Sequence, residues 1–388
     1  MADLLKERKN PMKEQRNPAG IFRRQYMCRI MRVCIVAVIV GTVGFLLASC
    51  NGARRFAFED VVYVPEFPAT YTLGAPESLP VDAIGIQGIH VFSDFILLSC
   101  ADPRGCLAAF DKDGNQISEP FLRTGRGPGE VLFRPYMSWL SFSEDRGNKD
   151  CGLYDFKGNY LEYDIAGALS GESAPYECLA DSLPVAAGAR YFMATDSSLI
   201  CRRLNDAGDG YQRCLVDFDG KEQVTGAMSL LNAFRSEDKN VLATIFAVNR
   251  EKGIVAELGS RLNVIQLYSL SDDFCRTVAV GSRLEDIDMI GAVEQEDMPK
   301  TYYEAKAFRD FFVGLYLGTT VRELDEGEYA PPELHFFSWD GTPLLSISLP
   351  VQALFFDIDL EDGKLYIVDG NTEKISRYDV SHIIDSLG

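Results

Sequence analysis

Short apolar segments separated by turn residues dominate the chain beyond residue 55. Val, Ile, Leu, Phe and Tyr alternate there with polar residues, and clusters of Gly, Asp and Asn interrupt the segments. Alternation with a period of two is the pattern of a half-buried β-strand, whereas an amphipathic helix repeats every three to four residues. No long stretch has the helical period. The pattern therefore predicts an all-β protein.

One unit recurs along these segments: an apolar strand, an Asp with a Gly close behind it, and a second strand. It occurs at residues 110–115, 154–159, 216–221 and 337–342. Asp-Gly and Lys-Gly supply the positive φ angles of tight hairpin turns. A calcium loop of the EF-hand type is the alternative, but that loop has its Gly at the sixth position, and Asp111-Lys112-Asp113-Gly114 has it at the fourth. We therefore interpret the units as hairpins.

The strands group into six blocks, as expected for the blades of a β-propeller. The blocks cover residues 83–122, 136–181, 189–228, 241–280, 302–349 and 351–380. The last block has three good strands instead of four, and an unpaired strand at residues 58–64 precedes the first block. Pairing that strand with the last block would close the ring and remove its exposed edges. The sequence thus predicts a six-bladed β-propeller, with a pair of β-sandwiches as the alternative.

The N-terminal segment has a different pattern. Arg29 and Arg32 precede an apolar stretch at residues 33–47, which leads into Leu47-Ala48-Ser49-Cys50. This layout is typical of a bacterial lipoprotein signal peptide, in which the Cys accepts the lipid. The stretch suits a signal peptide and is short for a membrane-spanning helix, although a single-pass anchor is the alternative. We predict a signal peptide at residues 1–49 with its true start at Met27, a lipidated tether at 50–56 and a propeller at 57–388.

Lipidation and charge limit the partners of the mature protein. Two or more acyl chains on Cys50 would bind a membrane stably. Asn51 after the Cys, and a tether without an acidic run, favour the outer membrane facing the periplasm. The whole chain has a net charge of −19, and residues 1–49 carry nine basic and three acidic residues, so their removal leaves −25. Such a charge repels nucleic acid, which we exclude as a partner.

Seven cysteines follow Cys50, so at least one is unpaired within the chain. Cys100 and Cys106, and likewise Cys201 and Cys214, are placed symmetrically about a turn, and such residues face each other in a hairpin. We predict these two disulfides, with buried free thiols as the alternative. There is no Cys-x-x-Cys pair and there are three histidines. We therefore predict no metal site and no cofactor.

Three features together resemble those of a known family. They are the Leu47-Ala48-Ser49-Cys50 run, blade patterns such as Asp94-Phe95-Ile96-Leu97-Leu98, and the run Gly125-Arg126-Gly127-Pro128-Gly129-Glu130. The chain resembles bacterial lipoproteins with a TolB-like or NHL-like six-bladed β-propeller, in which such a Gly-rich run forms the first connection between blades. The resemblance implies the fold over nearly all of the mature chain. It implies no defined biochemical activity.

Candidate sites follow from the geometry of a blade whose strands are named a to d from the centre outwards. The d-to-a connections and b-to-c loops emerge on one face, which we call the loop-rich face. The a-to-b and c-to-d turns emerge on the other, which we call the turn face. Long loops favour a site on the loop-rich face. There we predict Arg123 and Arg126 as anion-binding residues at the channel mouth, together with Glu130. Alternatively, the Gly-rich run is a fixed crossover in which Arg126 pairs with Glu130.

Two functions are compatible with these observations. The first is a membrane-anchored binding or scaffolding module for a protein, peptide or glycan at the loop-rich face, where Tyr136 and Trp139 are among the aromatic residues. The second is a metal-dependent hydrolase or lyase with its site in the central channel. His90, near the end of an innermost strand, is the one histidine that suggests it. No catalytic motif is present, so we predict the binding module and no catalytic residues.

Overall fold

A computed structural model describes residues 54–145, 148–172 and 175–387. These residues form six small β-sheets arranged in a ring, so the prediction of a six-bladed β-propeller is confirmed. Consecutive strands within a blade run antiparallel. The first strand of each blade lines the centre of the ring. Among the described residues, no helix is both long enough and apolar enough to cross a membrane. The predicted signal peptide and Cys50 lie outside the described residues.

The elements follow one another in regular order. Three short strands come first: β1 (Val61–Val64), β2 (Thr70–Thr72) and β3 (Glu77–Ser78). Blade 1 contains β4 (Ile89–Val91), β5 (Phe95–Ser99) and β6 (Leu107–Asp111), and blade 2 contains β7 (Ser141–Asp145), β8 (Asn148–Tyr154), β9 (Tyr160–Asp164) and β10 (Tyr176–Ala180). Blade 3 contains β11 (Arg190–Thr195), β12 (Ser198–Leu204), β13 (Tyr211–Asp217) and β14 (Glu222–Gln223). Blade 4 contains β15 (Thr244–Asn249), β16 (Ile254–Gly259), β17 (Val264–Ser269) and β18 (Cys275–Val280).

Blade 5 contains β19 (Pro299–Ala307), β20 (Phe311–Thr320), β21 (Glu333–Ser338) and β22 (Pro343–Ser348), and blade 6 contains β23 (Ala353–Asp359), β24 (Lys364–Asp369) and β25 (Ile375–Asp379). Short helices lie in the connections: α1 (Ile165–Ser170), α2 (Gly226–Leu231), α3 (Ile287–Gly291), α4 (Val321–Glu326) and α5 (Ser381–Ile384). Single 3-10 turns occur at Met137–Trp139, Lys239–Leu242 and Asp385–Leu387. Each blade falls within its predicted block to within a few residues.

The recurring Asp-Gly units are hairpin turns, as predicted. Gly114 and Gly341 both have φ 88°, the left-handed conformation that glycine adopts without strain. In the first unit Asp111 Oδ1 accepts hydrogen bonds from the backbone N–H groups of Asp113 at 3.0 Å and Asn115 at 2.8 Å. The Asp therefore holds its own turn closed, and Asp155 and Asp217 accept equivalent backbone hydrogen bonds in the second and third units.

The N-terminal strands run along the outer rim of three blades. β1 pairs in parallel with β18 of blade 4, β2 pairs in parallel with β22 of blade 5, and β3 pairs antiparallel with β25 of blade 6. The prediction that residues 58–64 complete the last blade is wrong, because residues 77–78 do so. Phe58 gives the physical reason: it is buried in the core between blades 3 and 4, and its N–H donates to Thr277 Oγ1 at 2.8 Å. This burial fixes the stretch on blade 4.

Candidate functional site

The Gly-rich run forms the connection between blades 1 and 2 and is closed by its own acidic residue. Glu130 Oε2 accepts from the Gly127 N–H at 2.7 Å, and Lys157 Nζ donates to the carbonyl oxygens of Gly127 at 2.8 Å and Glu130 at 2.7 Å. A Cβ at Gly125 would lie 2.1 Å from Glu130 Oε2. At Gly129, whose φ is 72°, a Cβ would lie 2.4 Å from the Tyr176 ring. These glycines are required by close packing.

The predicted anion-binding residues do not reach the channel. Arg123 and Arg126 are exposed, and the run packs against the outermost strand of blade 2 through Tyr176, away from the centre of the ring. The alternative pairing of Arg126 with Glu130 is also wrong: among the described residues, no such ion pair forms, because the Glu130 carboxylate is turned inward onto Gly127. The geometry favours a fixed crossover, and ligand binding by Arg123, Arg126 and Glu130 stays a prediction.

A groove of about 490 Å³ lies on the loop-rich face beside this crossover. It is formed by segments 132–139 and 185–190 together with Tyr154 and Phe156, and we call it the loop-face groove. Its two segments are the d-to-a connections that enter blades 2 and 3. Most of its lining is apolar, and Phe133 and Val185 are 62% and 67% exposed. Tyr136 and Trp139, which the sequence placed near the loops, both line it.

Two arginines border the loop-face groove. The Arg190 guanidinium lies 3.9 Å from the centroid of the Trp139 ring and 5.2 Å from that of Phe156. Burial lowers the pKa of Arg190 to about 10, with help from the positive charge of Arg202. The other arginine, Arg134, donates from Nε to Gln87 Oε1 at 2.7 Å. Within the part of the chain that the structure describes, neither guanidinium has a carboxylate partner within 4.0 Å. The groove is thus apolar with unneutralised positive charge at its border.

A second cavity, of about 430 Å³, occupies the centre of the ring. It is lined by residues from all six inner strands and by the a-to-b turns that follow them, and we call it the channel cavity. Its charged or titratable wall residues are His90, Glu144, Arg250, Lys306, Asp357, Asp359 and Glu361. The a-to-b turns belong to the turn face. The cavity therefore lies on the side opposite to the one on which the sequence predicted a site.

Three titratable residues of the channel-cavity wall meet a fourth, Glu304, which is buried beside them. His90 Nδ1 lies 3.0 Å from Asp357 Oδ2, and Lys306 Nζ lies 3.6 Å from the same oxygen. Lys306 Nζ also donates to the Ile89 carbonyl oxygen at 2.6 Å and lies 3.5 Å from Glu304 Oε1. Glu304 is 1% exposed, and among the described residues its two carboxyl oxygens have no hydrogen-bond partner. Such a buried, unsatisfied carboxyl group is rare in folded proteins.

Burial sets the protonation states of this cluster. It raises the pKa of Glu304 to about 8, against the opposing charge of Lys306. It lowers the pKa of His90, although the hydrogen bond and charge of Asp357 oppose the shift. Burial alone would raise the pKa of Asp357, but Lys306 and His90 hold that pKa below its usual value. At neutral pH the wall therefore contains an ionised Asp357, a neutral His90 and a mostly protonated Glu304.

Sequence reasoning found part of each site. Glu304, Lys306 and Asp357 interrupt apolar inner strands, which is a local signal of a polar channel wall. Glu304 and Lys306 lie on β19 of blade 5 and Asp357 lies on β23 of blade 6, so they meet only when the two blades pack together. Arg190 follows an apolar stretch and has no signal of its own. Among the described residues, no group of three or more His, Cys, Asp or Glu side chains is placed to hold a metal ion.

The four cysteines of the predicted disulfides are free thiols in the structure. Cys201 and Cys214 face each other across β12 and β13, as the symmetry of their turn predicted. Cys100 donates its backbone N–H to the Cys106 carbonyl oxygen at 3.0 Å, but the Cys106 thiol donates to the Leu122 carbonyl oxygen at 2.8 Å. The facing geometry is thus confirmed for Cys201 and Cys214, and neither of the two predicted disulfide bonds is present in the structure.

Comparison with known proteins agrees with the fold. A member of the DUF4221 family from Bacteroides vulgatus matches with a TM-score of 0.53 and 11% identity, over 79% of this chain and 96% of that one. The chain is a six-bladed β-propeller. A protein of Bacteroides fragilis named as an exported protein gives a TM-score of 0.47 and 14% identity, over 82% of this chain and 99% of that one. Regucalcin, a calcium-binding protein from Agrobacterium tumefaciens, gives a TM-score of 0.42 and 9% identity, over 80% of this chain and 95% of that one.

At these identities the likeness shows the fold alone. No protein-family model matches the sequence, and no curated protein matches it. The narrower resemblance to TolB-like or NHL-like lipoproteins stays a prediction.

Proposed function

We propose that the protein is a lipid-anchored binding module of the cell envelope whose loop-face groove binds a peptide segment of a partner protein. The segment carries an apolar side chain beside a carboxylate. The observation that carries this proposal is the pairing of an exposed apolar groove with two arginines that have no carboxylate partner among the described residues.

The residue types of the groove are those that dominate the energy of protein interfaces. Trp, Tyr and Arg are enriched among interface residues whose truncation costs 2 kcal/mol or more. Tyr136, Trp139 and Arg190 stand together here, and the exposed Phe133 and Val185 extend the apolar surface. The stacking of Arg190 on Trp139 holds the guanidinium in place before a partner arrives. A mostly apolar lining suits a peptide better than a glycan, which needs many polar partners.

The anchor explains where such a module would work. Lipid on Cys50 would bind the membrane, and the lack of an acidic run after it favours the periplasmic side of the outer membrane. A net charge of −25 after processing disfavours nucleic acid as a partner. The metal-dependent hydrolase is not proposed, because the described residues bring no metal-binding group together.

Selection from a displayed library of random peptides tests the proposal. We expect the enriched peptides to combine an aromatic or aliphatic residue with Asp, Glu or a free C-terminal carboxylate. Trp139→Ala should weaken their binding by about 30-fold, which corresponds to about 2 kcal/mol. Arg126→Ala is the matched control, because Arg126 is exposed on the same face outside the groove. Enrichment of basic peptides, or loss of binding in the Arg126 variant with none in the Trp139 variant, would contradict it. Thermal melting of each variant checks that the fold is retained.

A further inference from the structure

The two cations in the wall of the channel cavity are already engaged by the protein. Lys306 donates to the Ile89 carbonyl oxygen at 2.6 Å and lies within 4 Å of Asp357 and Glu304. The second cation, Arg250, donates from Nη2 to Asp196 Oδ1 at 2.6 Å. An anionic ligand would therefore compete with existing carboxylates for both of them.

Two acceptors in the same wall, His90 Nε2 and the Glu361 carboxylate, are by contrast free to bind a ligand. The contact of His90 Nδ1 with the ionised Asp357 assigns the ring proton to Nδ1, so that Nε2 is an acceptor. Among the described residues Nε2 has no hydrogen-bond partner. The exposed Glu361 carboxylate has no cation within 4.0 Å in the same part of the chain. Glu144, by contrast, is engaged: it accepts from the Ser93 N–H at 3.2 Å and from the Ser93 hydroxyl, and it lies 3.3 Å from Lys149 Nζ.

The charge of the channel-cavity wall, like its free hydrogen-bond acceptors, suits a cationic ligand. Four carboxylates line the channel cavity, those of Glu144, Asp357, Asp359 and Glu361. Lys149, Lys306 and Lys112 lie within 4 Å of the first three, respectively, and Arg250 is paired with Asp196, so among the described residues the Glu361 carboxylate is the wall charge left without a partner. The net charge of the whole chain is also strongly negative. Charge lining a cavity concentrates ions of the opposite sign. The wall therefore favours a cation over an anion.

Aromatic side chains form much of the remaining wall. Five phenylalanines line the channel cavity: Phe92, Phe142, Phe192, Phe246 and Phe308. Phe142 stacks on the His90 ring with centroids 3.9 Å apart and planes 7° apart, so the ring is held in place. The face of an aromatic ring attracts a cation, most strongly where water is excluded. A pocket of this size with apolar walls and a few fixed polar groups is typical of small-ligand sites.

We propose that the channel cavity binds an ammonium group carried on a small apolar body, with His90 Nε2 accepting its hydrogen bond and Glu361 supplying the opposite charge. The ammonium can belong to a free amine or to a lysine side chain of a peptide. This site lies on the turn face and does not depend on the loop-face groove, so either proposal can fail without the other.

Isothermal titration of the purified protein at pH 7.5 tests the proposal with matched probes. Phenethylamine supplies the ammonium on a phenyl body, and 3-phenylpropanoate is its anionic counterpart. We expect the amine to bind and the carboxylate to bind at least tenfold more weakly. The peptide acetyl-Ala-Lys-Ala-amide distinguishes the two sources: tighter binding than phenethylamine assigns the site to a polypeptide lysine, and weaker binding assigns it to a free amine. No binding of either amine at 10 mM, or equal binding of amine and carboxylate, would overturn the proposal.

Substitutions locate the bound amine. Glu361→Gln should raise Kd about two- to fivefold, because one exposed charge is lost, and its lack of a cation partner makes a folding defect unexpected. Glu326→Gln removes the same charge from an exposed position on the loop-rich face and should leave Kd unchanged. His90→Phe keeps a ring against Phe142 but removes the acceptor, and should raise Kd tenfold or more. Binding that neither Glu361→Gln nor His90→Phe alters would place the amine elsewhere and overturn the proposal.

Discussion

A buried ion pair joins blades 3 and 4, and removing one of its two partners should destabilise the propeller strongly. Arg213 on β13 donates from Nε to Glu257 Oε1 at 2.7 Å and from Nη2 to Oε2 at 2.8 Å, across to β16. Thr244 Oγ1 and the Tyr268 hydroxyl also donate to this carboxylate, at 2.7 and 2.8 Å. The side chains of Arg213 and Glu257 are 1% and 0% exposed. The carboxylate is therefore fully satisfied by protein groups alone.

The expected loss follows from the burial. Glu257→Gln leaves the Arg213 guanidinium buried without a counter-charge, and breaking a buried pair in this way costs about 3–5 kcal/mol. Replacing both residues, as in Arg213→Met with Glu257→Leu, removes both charges. That double variant should lose less stability than the sum of the losses in Arg213→Met alone and Glu257→Leu alone, because no charge is left unpaired.

The pair also predicts how stability depends on pH. Burial alone would raise the pKa of Glu257, but the charge of Arg213 and the hydrogen bonds from Arg213, Thr244 and Tyr268 hold that pKa below its ordinary value of 4.5. A depressed pKa contributes stability above the pKa of the unfolded chain. That contribution is lost as the pH falls from about 4.5 through the lower folded value.

Equilibrium urea unfolding, followed by tryptophan fluorescence, measures these losses. Asp297→Asn is the control, because it breaks the exposed pair in which Arg322 Nε lies 2.6 Å from Asp297 Oδ1, and such pairs contribute about 0–1 kcal/mol. A loss in Glu257→Gln no larger than in Asp297→Asn would refute the reasoning, and so would a double variant that loses the full sum of its parts.

Three further predictions concern other parts of the chain. Glu304 has a folded pKa raised to about 8, so the stability that its protonated form contributes below pH 4.5 should be lost as the pH rises through 8. The difference in unfolding free energy between the protein and its Glu304→Gln variant should therefore change by about 3–5 kcal/mol between pH 5 and pH 9. Parallel pH profiles of the two proteins would contradict this. Cys50→Ser should abolish incorporation of labelled fatty acid and release the protein from membranes, and continued labelling would place the lipid elsewhere. Non-reducing peptide mapping of protein from an oxidising compartment should find Cys201 bonded to Cys214, because the two residues are cross-strand partners; two free thiols there would contradict the prediction.

The sequence predicted the ring but not its closing strand. The blades could be read from the alternation of apolar and polar positions, because each strand is half-buried against its neighbours. The strand at residues 58–64 has the same local signal, since Phe58 is buried. The closing strand β3 has two exposed residues and no alternation. It is held in place by its partner, with Glu77 accepting from Arg377 at 2.7 Å, and no local pattern reports such a contact.

The loop-face groove and the Gly-rich run also depend on contacts between residues that are distant in the sequence. Tyr136 and Trp139 were placed near the loops by their position in the chain, but their partner Arg190 comes from another blade. The glycines at 125–130 indicated close approach correctly, and in the structure the groups that approach Gly125 and Gly129 are the side chains of Glu130 and Tyr176. Distant residues become neighbours through closure of the ring, which a single sequence does not reveal.

Hydrogen–deuterium exchange of the protein with a selected peptide tests the central claim most directly, because it shows where a partner binds. The account predicts slower exchange in segments 132–139 and 185–190 on peptide addition, and no such change in the Trp139→Ala variant. Protection confined to residues 123–130, or to the a-to-b turns around the channel cavity, would contradict the assignment of the loop-face groove as the binding site.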